Sequence, residues 1–416
     1  MEFYMIDLAQ LRNNEHNIVA RIEKKDPRFN IQALLDADKA FRAISTEVDA
    51  LREEKNKLAS QAKQQVTDEI RSRSIEISKI LKQKEQELAL AEAEFKNLYA
   101  SCPNPAEEDV PTGNKEANVV VREIGAKPTF DFEPQSHVEL GNNLGWFDFE
   151  AAARMTGSNF ALYKGDAVKL LYSLTMLMLK NNIKHGFTPI LPPYLVNTKS
   201  LEAAGQLPKF ADGVYKVENE DLYLSPTSEV NLTNMYRDMI LDRAQLPVRM
   251  TAWTSCFRRE AGGYGSAERG LIRIHEFEKL ELYSIVTPEE SAKELEKMVA
   301  AAENILQMLG LHYRVSLLAA QDTSFQSVKT YDIEVWMPGQ KAYYEVSSAS
   351  NCHAFQARRG GIRYREFKGG KTVHAHTLNA SSLALPRLMV ALMETYQQAD
   401  GSIELPAVIK EQGLFE

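Results

Sequence analysis

Two stretches of this chain carry apolar residues spaced alternately three and four apart, and they restrict its first quarter to one kind of structure. The first runs Leu34, Ala37, Phe41, Ile44, Val48, Leu51, Lys55, Leu58, Ala62, and the second Ile70, Ser74, Ile77, Leu81, Lys84, Leu88, Ala91, Phe95, Leu98. That spacing draws a stripe along one side of a helix, the seam of a coiled coil. The connection, Lys63 to Asp68, is polar, lacks Gly and Pro, and is short. Two seams joined in this way predict an antiparallel helical hairpin, each helix reaching roughly 45 to 55 Å at 1.5 Å per residue. Between Leu51 and Lys84, around the expected tip, stand nine Lys or Arg against five Asp or Glu. A thin arm cannot enclose a pocket, but a basic tip can reach a large anionic partner. A solvated helix surface or a dimerisation zipper would also account for the pattern, although Lys55, Ser74 and Lys84 on the seam favour a zipper less.

Cys102-Pro103-Asn104-Pro105 must end the second helix, because proline cannot continue it. The following stretch to about Pro134, rich in Pro, Gly and acid, reads as a linker. The expected organisation is therefore an arm domain over 1–103, a linker over 104–134 and a larger domain over 135–416. In the last part, Asp166 to Lys184 reads as a mostly buried helix and Pro288 to Leu309 as an amphipathic one, among many short alternating runs. Strand–helix–strand repeats are few, so the expected fold class is α+β: a helical coiled-coil arm beside an antiparallel sheet flanked by helices.

The net charge of −8 argues against general affinity for nucleic acid and leaves only local patches to bind it. No run of about 18 apolar residues is present, so no membrane partner is expected. The first dozen residues lack the basic-then-apolar pattern of a secretory signal. Three widely separated cysteines, Cys102, Cys256 and Cys352, point to a reducing compartment, read here as the cytoplasm.

Chemistry concentrates between Thr251 and Tyr283. A strand-like segment ends in Phe257-Arg258-Arg259-Glu260, a loop with four glycines follows (Ala261 to Gly270), and a second strand is expected from Leu271. Alternation puts Arg258 and Glu260 on one face, and Arg273, His275, Phe277 and Glu281 on one face. Paired arginines can grip phosphate oxygens, Phe277 can stack on a purine, and a carboxylate can accept from an amine or hydroxyl. A charged hairpin face could instead be solvated, but it would then need neither Phe277 nor so many glycines. Thr227-Ser228-Glu229 offers a hydroxyl and a carboxylate, or simply a helix N-cap with acid in its first turn. Asn379 to Arg387 is expected to open an apolar helix through Met389, Leu392 and Tyr396, with Arg387 either functional or an ordinary surface residue.

Together these segments resemble the signature motifs of class II aminoacyl-tRNA synthetases, and specifically the bacterial-type seryl family. Gly186-Phe187-Thr188-Pro189 through Pro193-Tyr194-Leu195 is similar to motif 1, Phe257 to Glu281 to motif 2, and Leu378 to Arg387 with its helix to motif 3. Thr227-Ser228-Glu229, Glu345-Val346-Ser347-Ser348, Ala349-Ser350-Asn351-Cys352, Phe355-Gln356-Ala357-Arg358-Arg359, Gly145-Trp146-Phe147-Asp148-Phe149-Glu150 and the arm carry the seryl character. The resemblance spans nearly the whole chain.

It implies a homodimeric ligase that makes seryl-adenylate from L-serine and ATP, then esterifies the 3′ end of tRNA(Ser), and of tRNA(Sec) as well, with no role for DNA. It further implies Arg258 on the α-phosphate, Arg387 on the γ-phosphate, Arg273 supporting the phosphates, Phe277 under adenine and Glu260 at the adenine amino group. Arg259, Val346 and Ser347 join that nucleotide surface by similarity. Glu345 and Ser348 match positions that hold Mg2+. Glu281 and Ser381 match positions that sense the serine hydroxyl, and Thr227 and Glu229 those that receive the α-amino group, with Ser228, Arg258 and Asn379 in the same pocket. A carrier-protein ligase on the same core would lack the arm. A non-catalytic paralogue should have lost Arg258, Arg273 and Arg387.

Overall fold

The computed structural model describes residues 6–260 and 270–415. The chain divides into two compact units, Asp7–Pro103 and the part from Asn104 onward.

In the first unit, two short helices precede α1 (Ile31–Gln64) and α2 (Asp68–Ala100), which pair as a hairpin. Asn30 caps α1 by accepting from the Ala33 amide, and Thr67 caps α2 by accepting from Ile70, with Asp68 and Glu69 in the favourable first turn. The seam is the predicted one. Leu34, Val48, Ile77, Leu81 and Phe95 are buried, and the Phe41 and Phe95 rings stack with centroids 5.5 Å apart. One position differs: Lys55 is exposed, and Glu54 takes the inner edge, where it pairs with Arg73 at 2.8 Å. Arg52–Glu85 and Lys84–Glu47, both at 2.8 Å, lace the same two helices.

The second unit is built on an eight-stranded sheet. The elements that form the sheet and position the site are, in chain order, β1 (Val119–Ile124), α3 (Asp166–Lys184), β2 (Thr188–Ile190), α4 (Ser228–Asn234), β3 (Val248–Phe257), β4 (Glu276–Val286), α5 (Ser291–Met308), β5 (Tyr313–Leu317), β6 (Lys329–Met337), β7 (Ala342–Asn351), α6 (Phe355–Arg359), β8 (His376–Ala384) and α7 (Leu385–Thr395). The sheet order is β1-β5-β6-β7-β8-β4-β3-β2, antiparallel at every step except the parallel β2–β3 pair. Helices α3, α5 and α7 cover one face, and their Leu170, Leu174, Met298, Leu388 and Leu392 share a core with Leu280, Leu282 and Leu378 of the strands.

Three sequence expectations change. The stretch read as a linker is largely part of this unit, since β1 pairs along the sheet edge with β5 and Asn104 bonds Phe325, Gln326 and Cys352. Strand β4 begins at Glu276 rather than Leu271, so residues 270–275 do not alternate. Asn379 lies in a strand, and the helix expected from it starts at Leu385, where Pro386 suits a first turn.

Candidate active site

A cavity of about 500 Å³ opens over the middle of the sheet. On its lining the structure brings together Arg258, Glu260, Arg273, Phe277, Glu345, Val346, Ser348 and Arg387, and with them Thr227, Glu229, Glu281, Asn379 and Ser381. Of the residues that the resemblance assigns to the site, three lie off it. Ser228 and Ser347 are fully buried elsewhere, the Ser347 hydroxyl donating to the Ser381 carbonyl, and the exposed Arg259 makes a backbone bond to the Gly213 carbonyl at 3.0 Å. The glycine-rich segment Ala261–Arg269 falls outside the described residues.

The register explains the convergence. On β4, Phe277, Lys279 and Glu281 alternate onto the cavity side, as side chains two apart must. His275 is pulled off that face: its ring packs 5.3 Å from Phe160 and its carbonyl accepts from the Arg258 amide. On β7, Val346 has no partner on β6, because pairing steps from Glu345–Glu334 to Ser347–Ile333. This bulge resets the alternation, so Glu345 and Ser348, three apart, line one cavity where a regular strand would set them on opposite faces. A second bulge, at Ser382 of β8, lets Ser381 and Ala384 do the same while the Ser382 hydroxyl donates to Asn182.

The lining falls into two groups. In one, the Arg258 guanidinium stands 5.1 Å from the centre of the Phe277 ring, and Arg273 pairs with Glu260 at 2.8 Å. Glu260 holds left-handed backbone, φ 48°, uncommon outside glycine. Arg387, in the first turn of α7, donates to the Ile272 and Glu345 carbonyls at 3.1 and 2.7 Å. In the other group, Thr227 caps α4 by accepting from the Glu229 amide, so the capping reading and the pocket reading are both met by one side chain. Lys279, 5 % exposed, pairs with Glu281 and donates to the Thr227 hydroxyl at 2.7 Å. Glu281 is itself opposite Ser381 in the strand register.

Glu229 is buried, and its Oε1 accepts from Gln356 at 2.6 Å, Asn379 at 3.1 Å and Gln326 at 3.5 Å. Burial, reinforced by the charge of Glu281, pushes the Glu229 carboxyl up to about 7, against the pull of Lys279 and the amides. Sequence reasoning missed Lys279 and Gln326. Lys279 was within reach, since it lies between Phe277 and Glu281 on the face already marked; Gln326, in the loop between β5 and β6, carried no periodic signal.

Residues 5–106 match the model of the seryl-tRNA synthetase N-terminal domain, and residues 214–396 match the class II tRNA synthetase core domain of the Gly, His, Pro, Ser and Thr enzymes. A serine–tRNA ligase of Syntrophobacter fumaroxidans is 44% identical over 414 residues, covering 98% of both chains. The chain belongs to the seryl-tRNA synthetase family. Another serine–tRNA ligase, from Solibacter usitatus, is 43% identical over 98% of this chain and 97% of its own. The solved seryl-tRNA synthetase of Pyrococcus horikoshii, complexed with ATP, shares the fold with a TM-score of 0.92 at 33% identity, covering 99% of each chain. The chain is thus a class II enzyme of this family along its whole length, arm included.

The donors beside the bulge suit a hard cation. Among the described residues no cluster of three or more His, Cys, Asp or Glu is placed to hold a metal ion. Asp332 stands opposite Ser348 in the strand register, and its Oδ1 is buried without a partner. Burial and the nearby Glu345 charge hold the Asp332 carboxyl well above the usual range. Carboxyl groups that oppose each other's ionisation in this way favour a positive occupant.

Proposed function

We propose that this chain joins L-serine to tRNA(Ser), and to tRNA(Sec), in two steps at this one cavity. In the first, a serine carboxylate oxygen bonds to the ATP α-phosphorus as the bond to the β-phosphate oxygen breaks, releasing pyrophosphate. In the second, a terminal ribose hydroxyl of the tRNA attacks the seryl carbonyl and AMP leaves. The observation that supports this most is the meeting of Arg258, Arg273 and Arg387 with a buried pocket of Glu229, Glu281 and Ser381 on the same lining.

Neither step needs a covalent enzyme intermediate. Arg258 is assigned to the α-phosphate, Arg387 to the γ-phosphate and Arg273 to the phosphates between, where fixed guanidinium charge opposes the charge that builds during transfer. Phe277 serves as the adenine platform and Glu260 as the acceptor for its amino group, with Val346 beside them. Glu345 and Ser348 would hold a Mg2+, which when bound supplies further neutralisation of the phosphates. Glu281 and Ser381 take the serine hydroxyl, so alanine would leave buried polar groups unpaired, a larger penalty than a lost methyl. Thr227, Glu229 and Asn379 form the end that receives the α-amino group.

The family's dimer is assigned to the surface around α3 and the segment after β2. Tyr172, Met176, Ile183, Leu191, Tyr194 and Leu195 are large apolar side chains exposed there, more than a solvated face needs. A cytoplasmic setting agrees with three cysteines that are all free and buried. No helix among the described residues is long and apolar enough to cross a membrane. Serine-dependent exchange of pyrophosphate into ATP, followed by charging of tRNA(Ser), tests the reading. Absence of exchange would end it.

A further inference from the structure

Around Glu229 the hydrogen-bond count does not close. Three amides, from Gln326, Gln356 and Asn379, all donate to the same carboxylate oxygen, Oε1. Gln356 is satisfied at its other end, where its Oε1 accepts from Tyr283 at 3.1 Å and Thr377 at 2.8 Å. Gln326 is not. It is 5 % exposed, it lines the cavity, and its Oε1 is sealed from solvent with no donor. Leaving a buried carbonyl oxygen unpaired is costly, so native structures rarely do it without a reason.

The amide cannot readily turn away to find a partner. Its loop is fixed at the backbone: the Asn104 side chain donates to the Gln326 carbonyl at 2.7 Å and to that of Cys352 at 2.9 Å, and the Val328 amide donates to Asn351 at 2.8 Å. Flipping the amide would set its oxygen against the Glu229 carboxylate. The nearby cation is already engaged, because Lys279 is bonded to Glu281 and Thr227. An acceptor-only surface made of a carboxylate and a fixed carbonyl calls for a group with several donors and no acceptor, which describes a primary ammonium.

Resting on the reading of this cavity as the serine site, we propose that Gln326 is a further substrate-binding residue whose Oε1 accepts a hydrogen bond from the α-ammonium of the amino acid. It makes the pocket selective for an α-amino acid over the same molecule without its amine. The residue acts in two directions, donating to Glu229 to hold that carboxylate and accepting from the substrate.

The test is serine-dependent ATP–pyrophosphate exchange by the full chain and by Gln326→Leu, with 3-hydroxypropanoate, which keeps the hydroxyl and carboxylate but lacks the amine, as a competitive inhibitor. The KM for serine should rise about tenfold or more in the variant, the scale of one lost bond to a charged group. The KM for ATP and the inhibition constant of 3-hydroxypropanoate should stay within about twofold, because neither ligand meets the amide. If Gln326→Leu is poorly folded, Gln326→Met, which keeps the length of the side chain but has no oxygen to accept, should raise the serine KM to the same extent. An unchanged serine KM in the variants overturns this assignment alone, as does a parallel rise in the inhibition constant, which would mean a deformed pocket. No serine-dependent exchange by the unaltered chain overturns the reading beneath it as well.

Discussion

At position 281 a carboxylate that is 1 % exposed faces a lysine that is 5 % exposed, and each is tolerable only because of the other. Glu281→Ala removes the side chain proposed to take the serine hydroxyl and leaves Lys279 bonded to Thr227. Serine-dependent exchange should fall below detection, and the melting temperature should drop too, since an uncompensated buried charge is strongly destabilising. Near-normal exchange would take Glu281 out of the pocket. Glu229 adds a pH dependence. Its carboxyl sits at about 7 against an ordinary 4.5, so the folded chain favours the protonated form. That preference stabilises fully below pH 4.5 and is lost as pH rises through 7. Glu229→Gln abolishes the loss, so its stability relative to the unaltered chain should grow between pH 5 and 8, by on the order of 2–3 kcal/mol. Substrate binding runs the opposite way, because an ammonium pairs with the ionised carboxylate: kcat/KM for serine should decline as pH falls below about 7, and the decline should vanish, at low activity, in Glu229→Gln. The sequence could show that Glu229 belongs to a start-of-helix pattern. It could not show the amides that surround it, which come from positions 97, 127 and 150 residues away.

Among elements, those with strong periodicity were the legible ones. The seams of α1 and α2, the buried α3 and the amphipathic α5 all follow from residue spacing, because a helix must bury a stripe at 3.6-residue period to be stable. The single slip, Lys55 for Glu54, arises where polar residues occupy the seam and an ion pair rather than apolar burial sets the facing edge. Strand β1 was illegible for a related reason: it lies at the sheet edge with Val119, Val120 and Val121 all exposed, so it shows no alternation. The bulges at Val346 and Ser382 could not be read either, since a bulge is fixed by the partner strand. Yet they decide which side chains reach the cavity. On the arm, pairing refines the basic patch. Arg52, Lys57, Arg73 and Lys84 are engaged by neighbouring carboxylates, whereas among the described residues no ion pair is made by Lys55, Lys63, Arg71, Lys79 or Lys82. The second set is free to meet phosphate. Lys63→Gln with Arg71→Gln should weaken binding of tRNA(Ser) and flatten its dependence on salt by roughly one logarithmic unit per lost contact, while Lys57→Gln should do less. Exchange without tRNA should be unaffected by any of them. Equal effects from the paired and unpaired sets would refute the division.

For the whole molecule the decisive fact is that the sheet's core and the cavity draw their described side chains from outside the helical hairpin. The sheet unit buries Leu170, Leu280, Leu378 and Leu392 among its own elements, and the arm buries Val48, Ile77 and Leu81 between its own helices. Replacing Phe41 to Leu88 by a short flexible turn therefore removes no side chain from the cavity or from the sheet's core. It leaves at the base Leu34, Tyr99 and the Asp38–Arg12 ion pair at 2.7 Å. Serine-dependent exchange should persist within about twofold, because activation needs only the cavity. Charging of tRNA(Ser) should be lost, because RNA recognised by shape and backbone is held through many phosphate and 2′-hydroxyl contacts over a wide surface, and the hairpin supplies the basic part of it. The two assays must be run on the same preparation, so that a folding defect, which would lower both, is told apart from loss of the RNA surface, which lowers one. Charging that survives the deletion would mean the tRNA is gripped elsewhere, and Lys55, Lys63, Arg71, Lys79 and Lys82 would then be only a solvated face.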